Sequence, residues 1–307
     1  MQMPRIAILG AGLMGVGIAV HLARYGHPVL LRDVSLERLA HVAAIAHDIL
    51  EELVIAERLD PAELNVILQR IGTTDSLEDL ASATLLIEAI PERLTLKHAL
   101  YAELEKVLSG DAIIASNTSG FPPDQLAQGM AHPDRLLIAH FWNPPHLIPL
   151  VEIVPGQATA THCVQYVQDI LQKADLEVVL LNKAVPGFIG NRLQFAVLRE
   201  ALHLVQSGVA SASDVDRVMR ASLGRRYAMV GPLEAADMGG LDTFLDIATH
   251  LMPTLAKGEG VLDLLREHVS QGETGLRSGQ GLYAWDDERK QRIIERRAYQ
   301  LRHALRP

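Results

Sequence analysis

The sequence predicts an α/β fold, a doubly wound sheet followed by an all-helical C-terminal domain. Through the first half, short apolar β-branched runs alternate with helix-length segments, the pattern of parallel strands joined by crossover helices. A G-x-G-x-x-G turn stands between the first run and the first helical segment. Beyond "KAVPGFIGNR" the strand-like runs stop and helical periodicity takes over.

The expected strands are 5–10, 28–33, 83–90, 112–117, 136–141 and 177–181, and "LVEIV" at 150–154 reads as a further strand. Helices are expected over 13–25, 35–57, 93–108 and 161–174, with "LDPAEL" dividing the long segment 35–70 near Pro61. In the second half, Gly208, Gly224, Gly231-Pro232, Gly239-Gly240 and Gly258 read as caps or breaks between helices. The expected domains are therefore 1–185 and 186–307. The tail 286–306 reads as one charged helix with Ile294, Ala298, Leu301 and Leu305 on a single face.

At 307 residues the chain is long enough for two domains. A net charge of -9 argues against a nucleic-acid partner, which would need a basic face. The single cysteine, Cys163, excludes an internal disulfide and fits a reducing compartment. No apolar stretch approaches the roughly 20 residues of a membrane span. "MQMPR" runs straight into the first strand without a basic leader or a small-residue cleavage site. The expectation is a soluble, cytoplasmic protein with no membrane partner, and no metal site is expected.

Within "ILGAGLMG", Gly10, Gly12 and Gly15 permit a tight turn, close approach of backbone to a pyrophosphate, and packing of helix on sheet. The residues of this turn, Gly10, Gly12, Leu13, Met14 and Gly15, are the expected phosphate cradle at a helix N-terminus. Asp33 ends the next strand, where a carboxylate accepts from the adenosine ribose and repels a 2′-phosphate. NAD is therefore expected over NADP, although Arg32 and Arg38 stand close enough to soften the preference.

In "LIAHFWNPPHLIPLVEIV", two apolar runs each admit one polar residue, His140 and Glu152. His140 falls at the C-terminal end of a strand, where ligands bind in open α/β sheets. The Asn-Pro-Pro turn lets the second run return beside the first. A buried carboxylate costs several kcal/mol unless paired, and the imidazole is the partner the sequence offers. Such a pair fixes the imidazole tautomer and suits a general base for an alcohol proton.

In their order along the chain, "GAGLMG", "EAIPE" (88–92), "SNTS" (116–119), "HFWNPP" (140–145), "LVEIV", "PGFIGNRL" (186–193) and "GLRSGQGLYAW" (275–285) resemble the L-3-hydroxyacyl-CoA dehydrogenase family. The resemblance covers nearly the whole chain. It implies a Rossmann-type NAD-binding domain, a helical substrate and dimerisation domain, a homodimer, and an active site between the domains. It assigns His140 as base, Glu152 as its carboxylate partner, and Ser119 and Asn191 as hydrogen-bonding partners of the reacting oxygen. Glu92, Lys97 and Asn117 go to the cofactor side, and Asn143 either holds the turn or touches substrate. Taken without the resemblance, Ser119 and Asn117 also read as strand-end turn formers, and Asn191 as a helix cap.

The substrate is less constrained. The segment after the second strand, where the family places lysines that hold CoA, has no lysine and is net acidic here. "SLGRRYAMVGPLEAADMGGLD" carries Arg225 and Arg226, and looks like relatives acting on small CoA-free acids such as L-gulonate 3-dehydrogenase (lambda-crystallin) and a pyridine-carboxylate dehydrogenase. Either arginine suits a substrate carboxylate; exposure or pairing within a dimer is the plainer alternative. The expected activity is NAD-dependent oxidation of the 3-hydroxy group of a small hydroxy acid. A 3-hydroxyacyl-CoA substrate and a non-catalytic crystallin-like role are the alternatives. A lysine base at Lys183, in the manner of 3-hydroxyisobutyrate dehydrogenases, lacks their glycine-rich setting.

Overall fold

The computed structural model describes residues 4–303. The strands are β1 (Ile6–Leu9), β2 (Val29–Arg32), β3 (Ile71–Thr74), β4 (Leu85–Glu88), β5 (Ile113–Ser116), β6 (Leu136–Phe141), β7 (Leu150–Pro155) and β8 (Glu177–Leu180). Among the described residues they form an eight-stranded sheet in the order β3-β2-β1-β4-β5-β6-β7-β8. Neighbours pair in parallel except β6 and β7, which are antiparallel. The reversal has a simple cause. A parallel return needs a crossover of about a dozen residues or more, and only residues 142–149 separate β6 from β7.

Strands β1, β4, β5 and β6 are buried along their whole length. Helices cover both faces, which is why these strands read as continuous apolar runs rather than alternating ones. One face packs against helices Leu13–Arg24, Leu36–Ile55 and Thr161–Lys173, through residues such as Val16, Ile18, Leu50 and Leu171. The other packs against helix Leu94–Val107 through Tyr101 and Leu104. Ser35 caps the long second helix, its side chain accepting from the Arg38 N–H. That helix ends at Ile55. The Asp60-capped 3-10 turn Pro61–Glu63 then leads into the short helix Leu64–Leu68, so the break falls at the expected proline.

Strand β3 was not expected. "IGTT" has one large apolar residue and is partly exposed, as an edge strand is; its pairing with β2 makes it a strand, and its own pattern does not.

By its internal contacts the chain forms two compact units. One runs to Ile189 and is rejoined by the chain from Ile294 onward; the other is Gly190–Ile293. The second unit is built of helices, including Gly190–Gln206, Ala212–Ala221, Leu223–Tyr227, Pro232–Gly239, Leu241–Leu251 and Leu262–Ser270. Gly231 precedes Pro232 at a helix start, and Gly240, at φ +89°, follows a helix end. Gly224 lies inside a short helix instead of at a cap. The glycine-rich motif 275–285 folds on itself through the bridges Gly275–Gln280 and Gln280–Ala284.

The tail is helical over Asp287–His303, and Leu305 lies outside the described residues. Of the expected apolar face, Ile294 is exposed. One tail arginine has a specific contact, since Arg289 lies 3.8 Å from the centre of the Tyr283 ring. Among the described residues no helix is long and apolar enough to cross a membrane.

Candidate active site

At the C-terminal end of β1 the glycine turn is closed by steric necessity. Gly10 has φ +103°, and a Cβ there would stand 2.6 Å from the Ala89 carbonyl oxygen. At Gly15 a Cβ would meet the Gly10 carbonyl oxygen at 1.8 Å, so helix and turn touch backbone to backbone. Gly12 differs. A Cβ there meets nothing within 4 Å, and the space it leaves open lies at the start of helix Leu13–Arg24. An empty approach to a helix N-terminus fits a pyrophosphate.

Asp33 is buried and accepts from the Ala11 N–H (2.8 Å) and the Ser35 N–H (2.9 Å), which fastens the glycine turn to the end of β2. It lines an open cavity of about 530 Å³ with Ala11, Ser35, Glu37, Arg38 and His41. Arg38 reaches to 3.8 Å from the Asp33 carboxylate. The carboxylate keeps lone pairs for ribose hydroxyls, and Glu37 adds a second acid against a 2′-phosphate. The residues present fit NAD.

His140 and Glu152 are direct cross-strand partners in the β6–β7 ladder. The imidazole is 5% exposed and the carboxylate 1%. His140 Nδ1 lies 3.0 Å from Glu152 Oε2. A carboxylate only accepts, so Nδ1 carries the hydrogen and Nε2 is the free base of the neutral ring. Ser119 Oγ is 3.2 Å from that Nε2. Glu152 has further donors, Trp142 Nε1 at 3.3 Å on Oε2 and the Ile189 N–H at 2.8 Å on Oε1. Phe188, buried and at φ +50°, lays its ring 5.4 Å from that of His140.

The Ser119 loop is gripped from below. Glu92 Oε1 accepts from the Thr118 hydroxyl and from the N–H groups of Ser119 (3.2 Å) and Gly120 (3.1 Å). Its other oxygen lies 3.3 Å from Lys97 Nζ. Lys97 is itself 1% exposed and held at 2.7 and 2.8 Å by both oxygens of buried Glu88. Tyr101 and Ser116 donate to Glu88 as well, each at 2.7 Å. Burying an ammonium group costs several kcal/mol, which these acids and hydrogen bonds offset.

The structure thus brings together Ser119, His140 and Glu152, with Glu92 and Lys97 behind the serine loop. Asn117 uses its side-chain oxygen to accept from the Phe141 N–H (2.8 Å), tying the ends of β5 and β6. Asn143 is exposed and precedes a cis proline bond. Leu13 is exposed and Met14 half-buried at the opening of the first helix. Asn191 belongs to the first turn of helix Gly190–Gln206, and Arg225 and Arg226 are exposed on helix Leu223–Tyr227, all three in the helical unit. Sequence reasoning missed Glu88, Thr118, Trp142 and Phe188. Glu88 carried the signal that exposed Glu152, an acid in an apolar strand. The Ile189 N–H has no sequence signal at all.

The family model for the 3-hydroxyacyl-CoA dehydrogenase NAD binding domain matches residues 5–184, and that for the 3-hydroxyacyl-CoA dehydrogenase C-terminal domain matches residues 187–285. The chain belongs to the 3-hydroxyacyl-CoA dehydrogenase family. It is an NAD-dependent oxidoreductase of that family, acting on CH–OH groups of a small-molecule substrate. Among its relatives is a 5-formyl-3-hydroxy-2-methylpyridine 4-carboxylate 5-dehydrogenase of Mesorhizobium japonicum, 34% identical over 96% of this chain and 95% of that one. An L-carnitine dehydrogenase of Streptomyces coelicolor is 38% identical over 82% of this chain and 78% of its own. The crystal structure of a 5-formyl-3-hydroxy-2-methylpyridine 4-carboxylic acid 5-dehydrogenase, described as an NAD+ dependent dismutase, superposes with a TM-score of 0.87 at 32% identity, covering 98% of this chain and 96% of that one. These similarities within the family lie toward its small-acid branch.

Proposed function

We propose that the protein oxidises the 3-hydroxy group of a small free hydroxy acid, with His140 as general base and Glu152 as its orienting partner. The observation that carries this reading is the line Ser119 Oγ, His140 Nε2, His140 Nδ1, Glu152 Oε2, with separations of 3.2 and 3.0 Å at its two hydrogen bonds. Its basic nitrogen meets an exposed serine and its protonated nitrogen a buried acid. NAD, when bound, supplies the hydride acceptor. Nε2 takes the hydroxyl proton, Ser119 Oγ steadies the oxygen, and Glu152 balances the imidazolium that forms. In reduction the same imidazolium returns the proton.

A free acid is favoured because the two relatives above are named for small carboxylates, and because the helix Leu36–Ile55 offers acidic groups and no lysine. Arg225 or Arg226 would take the substrate carboxylate, and Asn191 the reacting oxygen, from the helical unit. A CoA ester is the second reading, favoured by the family's own name. NADH formation with L-carnitine, L-gulonate and 3-hydroxybutyryl-CoA tests the choice. Turnover of a free acid is expected; efficient turnover of the thioester with none of the free acids overturns it.

We assign residues 1–185 to NAD binding and 186–307 to substrate binding and homodimer formation. Leu233 (84% exposed), Met229 (80%) and Leu245 give the helical unit a bare apolar surface that a second copy would cover. The lone cysteine suits the cytoplasm.

A further inference from the structure

A second cavity, of about 140 Å³, lies within the N-terminal unit and takes no part in the chemistry proposed above. His21, Arg24, Tyr25, Arg58, His146 and Asp175 stand on its wall. Two guanidinium groups on one small cavity, in a chain of net charge -9, are an unusual investment of positive charge.

The imidazoles define what the cavity asks for. His21 Nε2 lies 2.8 Å from the Ala174 carbonyl oxygen. A carbonyl only accepts, so Nε2 carries the hydrogen. Burial, partly opposed by that bond, brings the His21 pKa down to about 4, so the ring is neutral and Nδ1 is a bare acceptor. That Nδ1 is buried and has no protein partner. His146 Nδ1 is buried without a partner as well, while its Nε2 lies 3.3 Å from Glu52. The Asp175 carboxylate is already committed to the Tyr25 hydroxyl at 3.0 Å. Arg24 is held below its usual range mainly by burial, with Arg58 adding repulsion. The site therefore presents guanidinium donors beside an acceptor that only an O–H or N–H can satisfy.

A cation is repelled by the arginines. An apolar guest leaves the buried His21 Nδ1 without a partner. A fully ionised anion satisfies the arginines and not His21. We propose that the cavity binds an oxyanion that itself carries one hydrogen, of which free hydrogen phosphate is the simplest, its oxygens accepting from Arg24 and Arg58 and its O–H donating to His21 Nδ1. This requirement separates three chemically similar anions. Near neutral pH inorganic phosphate keeps a hydrogen, sulfate has none, and a phosphate monoester, with its second pKa at about 6, has mostly lost its own.

Isothermal titration of the NAD-loaded full chain at about pH 7, at constant ionic strength in a phosphate-free buffer, tests the proposal. Inorganic phosphate should saturate one site per chain, and sulfate and methyl phosphate should bind about tenfold more weakly or worse, the worth of one hydrogen bond to a charged group. His21→Leu should erase the preference. Arg24→Gln should weaken phosphate by about tenfold or more while leaving turnover unchanged, and Arg58→Gln serves if that variant does not fold. Absence of saturable phosphate binding means the cavity holds only water and overturns the proposal. So does equal binding of sulfate, or phosphate binding indifferent to both arginine variants. Methyl phosphate binding as tightly as phosphate would reassign the site to an ester and overturn the choice of a free anion.

Discussion

His140 and Glu152 sit opposite each other across an antiparallel pair of strands, with Nδ1 and Oε2 3.0 Å apart. Their alignment is a matter of sheet register. Side chains alternate faces along a strand, so a slip of one residue would send the carboxylate to the other side of the sheet. His140→Ala should lower kcat by about 10²- to 10⁴-fold, the usual worth of a positioned base. NADH binding, followed by fluorescence, should be unchanged; retained turnover would remove His140 from the role.

Gly12 separates folding from binding. Its backbone is extended, at φ -82° and ψ -179°, and a Cβ would touch nothing within 4 Å. Gly12→Ala should therefore leave the urea unfolding midpoint nearly unmoved, within about 0.5 kcal/mol. If pyrophosphate passes this point, NADH affinity should fall by about tenfold or more. Gly15→Ala, whose Cβ would overlap the Gly10 carbonyl, should lose stability as well.

Lys97 answers two acids at once. Lys97→Met would leave Glu88 buried beside Tyr101 and Ser116 without its cation. A cost of about 3–5 kcal/mol is expected in urea unfolding, as when one partner of a buried pair is removed. Adding Glu88→Gln should recover part of it; a single variant as stable as the parent would show that the network contributes little.

His21 sets an acid limit. Its pKa is about 4 folded against 6.5 as the reference value. Above pH 6.5 neither state is protonated and the fold keeps its full stability. As pH falls from 6.5 toward 4 the unfolded chain takes up a proton that the folded chain refuses, and roughly 3 kcal/mol is lost. His21→Leu should flatten the stability profile across that window, measured by denaturant unfolding at stepped pH.

Phe188 pays a backbone cost to put its ring on His140. At φ +50° any residue with a Cβ is strained, and glycine is not. Removing the ring should destabilise by about 3–5 kcal/mol. Yet Phe188→Gly should be more stable than Phe188→Ala by roughly 1 kcal/mol, the reverse of the usual order. Equal unfolding midpoints for the two variants would place the strain elsewhere.

How far the sequence carried this picture depended on what each residue had to hide. The buried strands were legible because two covered faces demand unbroken apolar runs, whereas β3, at an edge, needed no such run and left no trace. His140 and Glu152 announced themselves as polar side chains inside those runs. Glu88 had the same signature in "LLIE", but its partner Lys97 stands nine residues on, in a helix, where no local spacing marks it. Trp142 and the Ile189 N–H reach Glu152 through tertiary geometry that residue type does not encode. Asn117 shows the opposite case. Its strand-end position suggested either a turn or a ligand contact, and its oxygen is engaged with Phe141.

The grip of Glu92 on residues 118–120 has a chemical corollary. Because the amides of Ser119 and Gly120 both point at that carboxylate, the loop has no pair of backbone N–H groups left to cradle a negative oxygen. In the proposed reaction the substrate oxygen must then lean on side chains, and the two nearest the proton transfer are the Ser119 hydroxyl and the His140 imidazole. An amide can only lend its hydrogen. A hydroxyl and an imidazole can give one up and take it back, so this loop is suited to a carbinol and a ketone alike.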